Sequence, residues 1–169
     1  MTTTLRRSDA AFNDSATLAA ITDLHEVIDA LYRFAAGQDE HDRELFESAF
    51  AFDATVDFSE PASRFGVDLP PFVGRAVITD TIMTTTAALD TTHTVTNPRV
   101  RIEQDRAFLS ALVEAQHLPK RDHSRHLLLK NRYSLELGRS GRRWVIEHLR
   151  IENIWFTGDP GVLLPVVAA

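Results

Sequence analysis

Apolar residues recur every three or four positions from Leu18 through Ile21, Leu24, Ile28, Leu31 and Ala35, which predicts one buried face of an amphipathic helix. Ser15 or Thr17 supplies an N-cap and Gly37 a stop, and residues 1–14, polar and without period, read as a flexible lead-in to one domain over residues 15–169. Asp42 caps a second, short helix carrying Leu45, Phe46 and Ala49, so Asp39 sits in the corner between two helices. A short strand follows at Thr55-Val56-Asp57-Phe58, and Pro61, Gly66, Pro70 and Pro71 mark an irregular connection. The spacing of Val77, Ile78, Ile82 and Met83 predicts a third helix beginning near Gly74.

From His93 onward the period changes to two. Ala107, Leu109, Ala111, Val113, Ala115 and His117 share one face of a long strand, which therefore ends in a histidine. The next strand turns Leu127, Leu129, Asn131, Tyr133, Leu135 and Leu137 inward, and a hairpin at Gly138-Arg139-Ser140-Gly141 leads to a last strand from Trp144 to Phe156. Three N-terminal helices followed by a curved, mainly antiparallel sheet make an α+β domain.

Composition narrows the function. The chain has 169 residues, 44% hydrophobic and 25% charged, with a net charge of −6. Sixteen of its eighteen basic residues are scattered arginines, so no phosphate-tracking stripe forms and no nucleic-acid partner is expected. No apolar run is long enough to span a membrane and the N-terminus lacks a signal-peptide pattern, so a cytoplasmic location is the expectation. The absence of cysteine excludes disulfides, thiolate nucleophiles and cysteine-ligated metals.

Seven histidines remain as candidate chemistry. His93 is the most informative, because a histidine acts as a base near neutral pH when a carboxylate fixes its tautomer, and Asp39 is the candidate partner. His117 reads either as a pocket acid or as a histidine emerging at the rim before Pro119. Asn97, ahead of Pro98, reads better as part of a bulge or turn than as a site residue. His123 and His126 lie in or beside a charged loop and suit a solvated hairpin better than a zinc site with His117. His41, beside Asp39 and Asp42, is a weak metal candidate, and no metal or cofactor is expected.

Tyr32, Asp39, Asp42, Phe46, Phe50, Asp53-Ala54-Thr55-Val56, Gly74, His93 with Asn97, Tyr133, Trp144, Trp155 and Gly158 together give the chain a resemblance to a known group. Over roughly residues 17–158 it resembles the scytalone dehydratase, SnoaL-like and nuclear-transport-factor-2-like (NTF2-like) superfamily, whose fold is a cone-shaped α+β barrel. The resemblance implies an Asp39–His93 dyad for proton abstraction, with Tyr32, His117, Asn131 and Tyr133 as substrate-binding residues. It implies a cofactor-independent lyase or isomerase acting on a small, largely apolar or aromatic ring ligand. Two departures stand out: Gln38 replaces a tyrosine before the aspartate, and by spacing Tyr133 rather than Asn131 falls on the family's asparagine. Ketosteroid isomerase chemistry is disfavoured, because Phe58 occupies its base position and Asp57 points to the opposite face.

Two other readings follow from the same fold: an assembly subunit like the small subunit of ring-hydroxylating dioxygenases, or a polyketide cyclase. The aromatic residues of the terminal strand, Trp144, Trp155 and Phe156, suit core or subunit interface, and a homo-oligomer, dimer or trimer, is expected.

Overall fold

The alternation of buried and outward-facing residues from Arg106 to His117 and from Leu127 to Leu137 builds the centre of a six-stranded sheet. In the computed structural model, which describes residues 7–163, the elements are α1 (Arg7–Asp39), α2 (Arg43–Ser48), β1 (Phe50–Asp57), α3 (Ser59–Arg64), β2 (Phe72–Val73), α4 (Arg75–Thr86), β3 (Leu89–Glu103), β4 (Arg106–Pro119), β5 (Leu127–Ser140) and β6 (Arg143–Gly158). A 3₁₀ turn at Pro160–Val162 follows β6. The strand order is β2-β1-β6-β5-β4-β3, with β1 parallel to β6 and every other pair antiparallel.

The α+β architecture and the inward faces of β4 and β5 match the pattern expected. The sheet is not closed, however. β2 and β3 form its two edges, so the expected barrel is an open cone. A further helix, α3, occupies part of the connection that the prolines mark as irregular. Pro61 lies in its first turn, where a missing N–H costs nothing, and Asp57 Oδ1 accepts the Ser59 N–H at 2.8 Å.

Helix α1 departs from expectation at both ends. It begins at Arg7, so residues 7–14 of the expected lead-in are helical, while residues 1–6 lie outside the described residues. Leu18, Ile21 and Leu24, expected to be buried, are 65%, 57% and 43% exposed. The periodicity there is genuine, but the apolar face of the helix is covered only from Val27 onward, through Ala30, Leu31, Phe34 and Ala35, and ahead of it the helix is tied down by Asp23, which pairs with Arg139 at 2.8 Å and accepts from the Trp144 indole N–H. At the other end Gly37 is not the stop. The helix continues to Asp39, and a Cβ at Gly37 would lie 2.4 Å from the Phe46 backbone nitrogen of α2, so only glycine permits this helix contact.

That contact positions Asp39. The rings of Phe34, Phe46 and Phe50 pack with centroids 5.2–5.8 Å apart, tying α1, α2 and β1 together. Arg33, 7% exposed, holds the same corner from behind: it pairs with Asp29 at 2.7 Å and donates to the carbonyls of Ser48 and Trp144. Trp144 is fully buried, whereas Trp155 and Phe156 are 46% and 37% exposed, so of the three only Trp144 is core. No helix among the described residues is long and apolar enough to cross a membrane.

Candidate functional site

Asp39, the last residue of α1, points its carboxylate at β3. Two residues of that strand, Thr91 and His93, lie two positions apart and share a face. His93 Nδ1 is 2.6 Å from Asp39 Oδ1, the Thr91 hydroxyl donates to the same oxygen at 2.8 Å, and the His93 backbone N–H donates to Oδ2 at 2.7 Å. Burial alone raises the carboxyl pKa. The hydrogen bond and charge of His93, with the Thr91 hydroxyl and the His93 amide, outweigh it and hold Asp39 below the usual carboxylate range. Asp39 is therefore an ionised acceptor, Nδ1 of His93 is the donor, and Nε2 is the nitrogen left for other chemistry.

His93 lines a cavity of about 350 Å³ between α3, α4 and the inner sheet face. Its walls are mainly apolar and aromatic, with Phe34, Phe58, Phe65, Phe72, Leu129 and Ile151 among them. His93, His117, Asn131 and Tyr133 are among its polar residues.

His117 faces His93 with ring centroids 6.0 Å apart and ring planes at 86°. It is 4% exposed, which decides between the two readings of its position: it is a cavity residue and not a rim histidine. Burial, reinforced by the charge of His93, pushes its pKa down to about 4, so near neutral pH it is an uncharged imidazole.

Asn131 and Tyr133 follow from β5, both 3% exposed and both at the cavity. Asn131 Oδ1 accepts from Asn153 Nδ2 at 2.8 Å, so its remaining capacity is its NH₂ group. The Asn131 side chain works against the effect of burial on Tyr133, favouring negative charge on the phenolic oxygen. Burial pushes the Tyr133 pKa well up, so it stays a neutral donor.

Five of the six residues singled out from sequence thus converge: Asp39, His93, His117, Asn131 and Tyr133. Tyr32 does not. It is 46% exposed and lies outside the cavity lining, because the helical step from Leu31, which is fully buried, carries it to the outer face of α1. Asn97 has φ +54° within the β3 bulge between Thr96 and Arg99, in keeping with a turn-forming role. His123 is exposed and pairs with Asp90 at 2.8 Å, and His41 Nε2 meets the Thr86 carbonyl at 3.1 Å. Among the described residues no group of three His, Asp or Glu is placed to hold a metal ion.

Sequence reasoning missed three contributors. Gln38, treated only as a departure from a pattern, is 6% exposed and lines the cavity. Thr91 braces Asp39, and strand parity with His93 was the signal for it. Asn153 anchors Asn131, and its backbone N–H donates to Glu60 Oε2 of α3 at 2.6 Å. The alternation Leu149, Ile151, Asn153 along β6 marked it as inward.

Comparison with known proteins adds the following. Residues 19–150 match the SnoaL-like domain. The chain is 29% identical over 147 residues to terrestric acid biosynthesis cluster protein E of Penicillium crustosum, covering 83% of this chain and 88% of that one. A structure from Novosphingobium aromaticivorans, provisionally named a scytalone dehydratase, superposes with TM-score 0.72 at 15% identity, over 90% of this chain and 99% of that one. A type 2 hexachlorocyclohexane dehydrochlorinase superposes with TM-score 0.71 at 17% identity and the same coverage. At these identities the two structures establish a shared fold.

Proposed function

The chain belongs to the SnoaL-like domain family, within the NTF2-like fold, and we propose that it is a cofactor-independent lyase or isomerase that abstracts a proton with the Asp39–His93 dyad. The observation that carries this reading is the 2.6 Å contact between Asp39 Oδ1 and His93 Nδ1 at the wall of a largely apolar cavity. Asp39 fixes the tautomer and stabilises the imidazolium, and Nε2 takes a C–H proton beside a carbonyl. The electron pair moves onto the carbonyl oxygen, where Tyr133 O–H and the Asn131 NH₂ group stabilise the enolate. Return of that proton from the His93 imidazolium to a β-hydroxyl, which then leaves as water as the carbonyl and the new C=C form, makes the enzyme a lyase; return of the proton to another carbon makes it an isomerase.

Two features weigh against the rival readings. A cone filled with side chains would suit an assembly subunit, but this cone holds a cavity, and its volume suits a small ring better than a folded polyketide chain.

The test is exchange and elimination on cyclic ketones carrying a β-hydroxyl, followed by NMR in deuterated water. The native protein should exchange or remove the α-proton, and His93→Ala and Asp39→Asn should lose at least about a hundredfold of that rate. Undiminished rates in His93→Ala, with the fold intact by circular dichroism, would refute the proposal.

A further inference from the structure

On the sheet face turned away from the cavity, strand register lines up one row of side chains across five strands. Asp57 stands opposite Arg150, Arg150 opposite Ser134, Ser134 opposite Ser110, and Ser110 opposite Arg99. Their neighbours Val56, Leu149, Leu135 and Leu109 are buried, so alternation turns the row outward. The adjacent row adds His148, Glu136, Phe108 and Arg101. A groove of about 660 Å³ runs over both.

This row offers more donors than the fold uses. Among the described residues the Arg99 side chain has no ion pair or hydrogen bond, and the Ser110 and Ser134 hydroxyls have no partner. Both carboxylates of the groove are engaged: Asp57 Oδ1 accepts the Ser59 N–H at 2.8 Å, and Glu136 pairs with Arg106 at 2.9 Å. Arg101 pairs with Glu103 and lies 4.2 Å over the Phe108 ring. Arg150 meets Glu152 at 3.3 Å in an exposed pair, which an incoming anion displaces at little cost. Neighbouring strands are ~4.8 Å apart, so Arg99 and Arg150 stand ~14 Å apart, and extended guanidinium groups reach the midpoint from either side. Two small serines occupy that midpoint. An anion resting on them meets two hydroxyl donors below and a guanidinium fork on each flank.

We infer that this groove binds the phosphate group of a small phosphate ester, at a site separate from the cavity on the other face of the sheet. A phosphate ester presents three acceptor oxygens in different directions, enough to meet the serine pair and both arginines, whereas a carboxylate presents two in one plane. The groove is also too long for free phosphate. Set against ~30 Å³ per water molecule in the liquid, its volume holds roughly twenty waters, far more than one phosphate displaces. The rest of the ester lies along the row of His148, Glu136 and Phe108.

The inference is tested by calorimetric titration at pH 7.5 and low salt with three probes: phenyl phosphate, inorganic phosphate and benzoate. Phenyl phosphate should bind saturably with a Kd of about 1 mM or tighter, and the other two at least about tenfold more weakly. Arg99→Ala, and a double variant carrying Ser110→Ala and Ser134→Ala, should each weaken phenyl phosphate binding at least about tenfold. These side chains stand on the outer face, so circular dichroism should show an unchanged fold. His93→Ala should bind phenyl phosphate as the native protein does, which keeps this result independent of the proposed catalysis. No saturable binding of phenyl phosphate, equal binding of inorganic phosphate or benzoate, undiminished binding in Arg99→Ala, or loss of binding in His93→Ala would each overturn the inference.

Discussion

The rings of His93 and His117 stand 6.0 Å apart and nearly perpendicular, yet only His93 has a carboxylate partner. Burial, with the charge of His93 beside it, makes His117 a residue that couples stability to pH. Its folded pKa of about 4 lies below the ordinary histidine value of 6.5, so its contribution is fully present above pH 6.5 and is lost as pH falls from there toward 4. The size of that loss is about 3 kcal/mol at most. His117→Gln should flatten the stability profile between pH 6.5 and 4, measured by urea denaturation; an unchanged slope would refute this account. Asp39, held below its usual range, contributes a separate loss at still lower pH.

Thr91 shares an Asp39 oxygen with His93, which makes it a positioning residue for the dyad. Replacing Thr91 by Val keeps the shape and removes the hydroxyl. Turnover should fall about tenfold with KM little changed, the worth of one hydrogen bond to a charged group, and the acidic limb of the pH–rate profile should move up. Thr91→Ser should restore both.

Gly37 is a contact residue. In Gly37→Ala the new methyl would meet Phe46 backbone atoms at 2.4 and 2.6 Å, and a backbone cannot step aside as a side chain can. The helices must separate, costing about 2–3 kcal/mol by chemical denaturation. Activity should fall as well, because the same corner aims Asp39.

Tyr32 provides the contrast. It is exposed and outside the cavity, so Tyr32→Phe should leave turnover within about twofold of the native rate. A large loss would mean that the outer face of α1 takes part in the site.

Much of this could be read along the chain because it depends on local period. The inward set of β5, from Leu127 to Leu137, follows from alternation alone, and so does the place of His117 at the end of the apolar face of β4. Asp42 capping α2 is equally local: its Oδ1 accepts the Leu45 N–H at 2.9 Å. Leu18, Ile21 and Leu24 show where such reasoning stops. Their spacing defines a face, but whether a face is covered depends on where the sheet ends.

The sequence by itself determined which residues share a face, because the helical and strand periods are properties of the backbone. It determined the chemistry on offer too: a carboxylate, two inward histidines, an asparagine and a tyrosine. Only the tertiary structure decided who meets whom. Asp39 and His93 are 54 residues apart, and their 2.6 Å contact exists because Gly37 lets α2 close on α1 and the phenylalanine cluster holds that corner against β3. The loss of Tyr32 from the site and the recruitment of Thr91, Gln38 and Asn153 arise in the same way, from long-range packing that no local period encodes.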